Sequence, residues 1–218
     1  MKDPCLLIGD IGGTNARFAL ATTDRPGFHS ALQLQGEDFA TADDAIEHYL
    51  ATKKVGPPEA VCLAAAGPVV DDTVKITNDH WDISAADTRE DFGIQNVRLL
   101  NDFMAIAYSI PLLTENEIQT IGRHDFPALG SDDFTVAIMG PGTGLGVAGL
   151  CRRGNTLVPI TGEGGHIGFA PESPLQIELL KVLSEQLDRV SAERLIAGSG
   201  LMNIYKALAT IRGETRES

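Results

Sequence analysis

Hydrophobic positions first gather in CLLIGD at residues 5–10, break at a pair of glycines, and resume in ARFALA at 16–21. A second cycle runs from FTVAIMG at 134–140 through GTGLG at 142–146 and back into apolar residues. Short apolar runs bounded by glycine predict strands, so each cycle predicts a strand, a glycine turn and a second strand. Between the two cycles the pattern predicts a strand near 31–34, a helix over 43–53 opened by Asp43 and Asp44 and ended by GPP at 56–58, and a buried strand at 60–66. A turn at Gly67-Pro68 follows, with short strands around Val69 and at 74–77, a helix near 84–92 and a strand at 97–100 that leads directly into Asn101-Asp102 and the helical FMAIAYSI. Further helices are expected at 175–188, 192–197 and 201–211. The fold class expected is α/β with one hairpin motif used twice, and the polar segment 111–133 is read as the crossing between a domain at 1–110 and another at 111–218.

The glycine turns give this pattern a chemical meaning. Glycine admits positive φ and lacks Cβ, so successive backbone N–H groups can converge on an anion such as a nucleotide phosphate. In the first turn Asp10 can hold Mg²⁺ or its water, while Gly12, Gly13, Thr14 and Asn15 offer donors to phosphate oxygens. Paired glycines also close ordinary hairpins, so the first turn alone has both readings. It is neither a GxxxxGK[ST] loop nor a glycine motif opening a helix, because β-like residues follow it. The second turn weakens the ordinary reading.

Composition narrows the partners. The 218 residues are 43% hydrophobic, enough for a sizeable core, and 17 basic against 30 acidic residues give a net charge of −13. That charge repels nucleic acid and anionic lipid and excludes an unaided nucleic-acid binder. A phosphorylated ligand would need local N–H groups, a few cations and Mg²⁺. The first apolar run is too short for a signal peptide, and the longest later run, at 61–70, is too short to span a membrane, so a cytoplasmic protein is expected. Cys5, Cys62 and Cys151 are far apart and form no CxxC pair, which predicts reduced thiols and no zinc site.

Four further places carry candidate chemistry. Asn101-Asp102 falls at the carboxyl end of a strand and the start of a helix, where open α/β sheets place ligands. Both are favoured helix caps, and in a cleft the same Asp102 could take a proton from an attacking hydroxyl, with the helix N-terminus favouring its ionised form. The loop TGEGGHIGF at 161–169 presents Glu163 and His166, a carboxylate and an imidazole able to bind vicinal hydroxyls or to serve structure. Glu193 stands in the first turn of a helix after an expected Ser191 cap, where the helix dipole alone would explain it. Asn78, in ITNDHW, fits a turn before a helix.

Taken together, LIGDIGGTNARFAL, AAAGPV, ITNDHW, LLNDFMAIA, MGPGTGLGVA, GEGGHIGFAP and VSAERLIAGSGL resemble bacterial ATP-dependent glucokinases along nearly the whole chain. The resemblance implies the ribonuclease-H-like fold shared with hexokinases, actin and heat-shock chaperones, two α/β domains around a nucleotide cleft. It implies that Asp102 is the general base for the 6-hydroxyl of D-glucose, that Asn101, Glu163, His166 and Glu193 bind sugar hydroxyls, and that Asn78 lines the sugar cleft. It makes Gly9, Asp10, Ile11, Gly12, Gly13 and Thr14 the first phosphate segment, and the stretch holding Gly140, Gly142, Thr143 and Gly144 the second. ATP and Mg²⁺ are the implied cofactors, with Asp10 toward the metal, and a homodimer is implied as the assembly. No cysteine-rich motif follows His166, which places the chain in the zinc-free branch of that superfamily. Because such kinases continue beyond the point matching Ser218, a second domain lacking its last part and a weakly active or inactive fragment are expected. A sugar-binding regulator without turnover, or a kinase with another donor or sugar, are the alternative readings.

Overall fold

The computed structural model describes residues 5–24, 27–76, 81–122 and 133–214, so Asn78 lies outside the described residues. The chain forms two compact units, residues 1–125 and 126–218.

In the first unit, β1 (Leu6–Ile11), β2 (Asn15–Ala21), β3 (Phe28–Gln35), β4 (Ala60–Ala65), β5 (Val69–Val70), β6 (Thr73–Lys75), β7 (Asp82–Ser84) and β8 (Asn96–Asn101) are joined by α1 (Ala42–Lys53), α2 (Ala85–Phe92) and α3 (Asp102–Ser109). The main sheet has the order β3-β2-β1-β4-β8, and β5, β6 and β7 make a small antiparallel sheet. β1 and β2 form the expected antiparallel hairpin, whereas β1, β4 and β8 run parallel. The parallel registers set Ile11, Ala65 and Asn101 in one row, so the first glycine turn and Asn101-Asp102 share the carboxyl edge of the sheet. With strands about 4.8 Å apart, they stand on the order of 10 Å from each other.

Strand alternation builds the core of this unit. Leu7, Val61, Leu63, Ala65, Val97 and Leu99 are buried together with Ala45, Ile46 and Tyr49 of α1. Helix α1 begins with a capping box, Thr41 Oγ1 accepting from Asp44 N–H and Asp44 from Thr41 N–H, so the cap lies just ahead of the acidic pair expected to open it. Buried Thr88 of α2 donates to Asp43 Oδ1 at 2.8 Å and ties the two helices together. Trp81, 2% exposed, donates from Nε1 to the Phe39 carbonyl. β3 starts at Phe28, earlier than its pattern predicts, because a largely exposed edge strand carries little apolar periodicity. The two-to-three-residue strands leave an even weaker signal, and β7 was not anticipated.

The second unit opens with an antiparallel meander, β9 (Phe134–Pro141), β10 (Leu145–Arg153) and β11 (Thr156–Gly162). The expected hairpin is therefore present, and the unexpected β11, an edge strand that accommodates Pro159, extends it. α4 (Pro174–Ser184), α5 (Glu193–Ile196) and α6 (Gly200–Arg212) pack around Leu179, Leu183, Val190, Leu195 and Ala207. α4 ends four residues short of its expected limit because the Leu183 carbonyl takes the N–H groups of both Gln186 and Leu187 in a closing turn. Among the described residues no helix is long and apolar enough to cross a membrane.

Candidate functional site

In the first unit the glycine turn is closed by Gly12 N–H donating to the Asn15 carbonyl at 2.9 Å. That bond spends the Gly12 donor on the turn itself. Among the described residues the N–H groups of Gly13 and Thr14 donate to no protein acceptor, which leaves two consecutive donors for an anion. The hairpin places Asp10 directly opposite Arg17, and Arg17 Nη1 donates to Asp10 Oδ2 at 2.9 Å. Arg17 Nε donates to Gln33 Oε1 at 3.0 Å, and Gln33 Nε2 to Asn15 Oδ1 at 2.9 Å, so a polar chain crosses β1, β2 and β3 beside the turn. Gly9 has a packing role: a Cβ there would meet Leu63 Cδ2 at 2.7 Å.

At the same sheet edge Asn101 is the cap of α3. Its Oδ1 accepts from Phe103 N–H at 3.0 Å and Met104 N–H at 3.3 Å, while Nδ2 donates to the Gly67 carbonyl at 3.1 Å. One amide hydrogen of Asn101 remains for a ligand. Asp102 follows as the first helical residue, half-buried, with Oδ1 accepting from Phe103 N–H at 2.8 Å. The capping reading of this pair therefore holds for Asn101, and Asp102 keeps its Oδ2 for other chemistry.

The second unit brings Glu163, His166 and Glu193 into one row. His166 Nε2 lies 3.5 Å from Glu163 Oε2, and His166 Nδ1 lies 3.9 Å from Glu193 Oε1. Glu193 is the most enclosed of the three, its side chain 23% exposed, and its Oε2 accepts from Leu145 N–H at 2.9 Å. Leu145 directly follows the second glycine turn, so one carboxylate touches the turn and faces the imidazole. In that turn Gly142 N–H is spent on the Gly144 carbonyl at 2.8 Å, and the Thr143 and Gly144 N–H groups have no protein acceptor among the described residues. His166 and Glu193 border a cavity of about 440 Å³ also lined by Leu187, Asp188, Arg189 and Ser191.

Two local expectations are corrected. Gly12, Gly142 and Gly144 all lie outside the left-handed region, so the turns do not need glycine for positive φ. Ser191 is not a helix cap: Ala192 precedes α5 without a side-chain bond, and buried Ser191 pairs with Gly168 in an isolated bridge. The bridge, with Phe169 N–H to the Val190 carbonyl and Ala192 N–H to the Ile167 carbonyl, carries Glu193 to the 161–169 loop. Sequence reading also missed Arg17, although a hairpin closed at Gly12 and Asn15 necessarily sets it opposite Asp10. The Glu193 link to Leu145 joins residues 48 apart and left no local signal. Among the described residues, no group of three or more His, Cys, Asp or Glu side chains is placed to hold a metal ion. Asp10 has one oxygen engaged by Arg17 and is exposed, a carboxylate able to meet a hydrated cation accompanying phosphate.

The chain is similar in sequence and fold to known proteins. Over 209 residues the chain is 43% identical to the glucokinase of Caulobacter sp. (strain K31), covering 95% of this chain and 62% of that relative. It is 40% identical over 207 residues to the glucokinase of Hahella chejuensis, covering 95% and 63%. A crystal structure of glucokinase from an Antarctic psychrotroph matches 99% of this chain and 67% of its own with a TM-score of 0.84 and 34% identity. The chain thus spans somewhat under two thirds of the length of those curated relatives. Its fold is the ribonuclease-H-like, actin-like fold of these kinases. With the family model described as Glucokinase matching residues 7–218, the chain belongs to the glucokinase family.

Proposed function

We propose that this chain carries the sugar-binding and phosphate-binding parts of an ATP:glucose phosphotransferase. The observation that carries the reading is the row Glu163, His166 and Glu193, joined through the Leu145 N–H to a glycine turn with two open donors. Carboxylates and an imidazole suit sugar hydroxyls, and open backbone N–H groups suit phosphate, so the two ligand chemistries meet within one unit. Residues 1–110 supply Asn101, Asp102 and the Gly9 to Thr14 segment, and residues 111–218 supply the turn of Gly140, Gly142, Thr143 and Gly144 with the sugar loop.

In the reaction Asp102 accepts the proton of the glucose 6-hydroxyl as O6 bonds to the γ-phosphorus of ATP. The bond from that phosphorus to the departing ADP oxygen breaks, giving glucose 6-phosphate and ADP. General base catalysis contributes about 10²–10⁴-fold, and positioning of the two substrates supplies most of the remainder. The capping bonds of Asn101 fix the helix start from which Asp102 projects, which supports this assignment. Bound with ATP, Mg²⁺ would neutralise charge on the phosphate oxygens, and Asp10 is the residue that would hold it or its water. Entry of glucose into glycolysis in the cytoplasm, and a homodimeric assembly, belong to the same reading.

Calorimetric titration tests the sugar assignment. Glucose is expected to bind saturably to the wild type and at least tenfold more weakly to Glu163→Gln and His166→Ala. Equal affinity in all three would remove the sugar from this row.

A further inference from the structure

Gly144 belongs to the second glycine turn, where glycine would ordinarily be credited to the close approach of a phosphate. Its surroundings supply a different reason. A Cβ at Gly144 would stand 2.7 Å from Oε2 and 3.6 Å from Cδ of Glu193. The same Oε2 accepts from Leu145 N–H at 2.9 Å. The backbone of Gly144 is outside the left-handed region and imposes no demand of its own for glycine. Gly142, two residues earlier, has no comparable neighbour, since its Cβ would find only the Gly144 carbonyl at 3.9 Å.

We infer that Gly144 is a positioning residue for Glu193: its missing Cβ makes the space in which the carboxylate docks on Leu145 N–H and presents Oε1 toward His166. The functional consequence rests on the reading that Glu193 binds sugar. A methyl group at Gly144 would take the place of the carboxylate. Because the displaced atoms are the free end of a flexible side chain, Glu193 can rotate away while the fold stays intact. The loss then falls on the site, where a charge-assisted hydrogen bond disappears and the carboxylate leaves its sugar-facing position. Gly144 therefore acts on the sugar from within a phosphate turn.

The test compares wild type, Gly144→Ala, Gly142→Ala, Glu193→Ala and Glu193→Gln by amide hydrogen exchange in NMR and by glucose titration. Protection of the Leu145 amide is expected to fall tenfold or more in Gly144→Ala and Glu193→Ala. It should persist in Glu193→Gln, whose amide oxygen still accepts, and in Gly142→Ala. Glucose affinity should drop about tenfold or more in Gly144→Ala, and the double variant Gly144→Ala/Glu193→Ala should bind no more weakly than Glu193→Ala alone. Wild-type Leu145 protection in a folded Gly144→Ala, or additive losses of glucose affinity, would overturn the inference. If the wild type binds no glucose, the sugar reading fails, and the Leu145 amide still decides whether Gly144 positions Glu193.

Discussion

Asn101 concentrates more interactions than any neighbour at its sheet edge, and replacing it gives a stability test that can be worked from the structure. Its Oδ1 satisfies two N–H groups at the start of α3, and its Nδ2 reaches the Gly67 carbonyl on the loop after β4. Loss of a helix cap costs about 1 kcal/mol, and loss of one half-buried hydrogen bond about another 1 kcal/mol. Asn101→Ala should therefore destabilise the first unit by about 2 kcal/mol. Asn101→Ser separates the contributions, because serine caps as well as asparagine but is too short to reach Gly67, and should cost about 1 kcal/mol. Trp81 is the one tryptophan of the chain and is buried in the core of that unit, so its fluorescence in a urea titration reports the relevant unfolding. With an m value of roughly 2 kcal/mol/M, the midpoint should fall by about 1 M in Asn101→Ala and about half as far in Asn101→Ser. An unchanged midpoint in Asn101→Ala, or equal losses in the two variants, would refute the partition into cap and tie.

Two further variants probe the framework around the site. Gly9→Ala places a Cβ 2.7 Å from Leu63 Cδ2 and 3.1 Å from the Phe18 ring, overpacking the core face under the first turn. It should cost about 1–3 kcal/mol in the same Trp81 titration, and a wild-type midpoint would show that the core yields there. Burial pushes the Asp43 carboxyl up, the hydrogen bond from Thr88 pulls it down, and Asp91, Asp87 and Asp44 add to the rise. An acid whose folded-state pKa lies above its unfolded value binds its proton more tightly when folded. Its destabilising effect is complete above the folded pKa, shrinks as pH falls through it, and vanishes below the unfolded value of 3.8. Asp43→Asn, which keeps an acceptor for Thr88, should gain stability over the wild type at neutral pH, and the gap should narrow as the pH approaches 3.8. A gap that stays constant with pH would contradict the assignment.

What could be read from the chain was local. The two hairpins were legible because the strand pattern and the turn lie within a few residues of one another, and Asn101 because a cap sits next to the helix it starts. Of the two reasons for glycine in these turns, positive φ is not used, since Gly12, Gly142 and Gly144 all lie outside the left-handed region. Ser191 looked like a cap for the same reason that Asn101 was one, yet its position is decided by a bridge to Gly168 across 23 residues. The carboxylate of Glu193 likewise finds Leu145 only once β10, the 161–169 loop and α5 have folded together. Sequence pattern supplied the chemical groups, and long-range pairing decided which of them touch.

The most direct measurement follows labelled phosphate. With ATP carrying isotope in its γ-phosphoryl group, glucose and Mg²⁺, this chain extended to the length of its glucokinase relatives should place label in glucose 6-phosphate. Asp102→Asn should slow that transfer by about 10²–10⁴-fold while still binding glucose. Label released only as inorganic phosphate, or transfer by Asp102→Asn at the wild-type rate, would contradict phosphoryl transfer to glucose with Asp102 as its base.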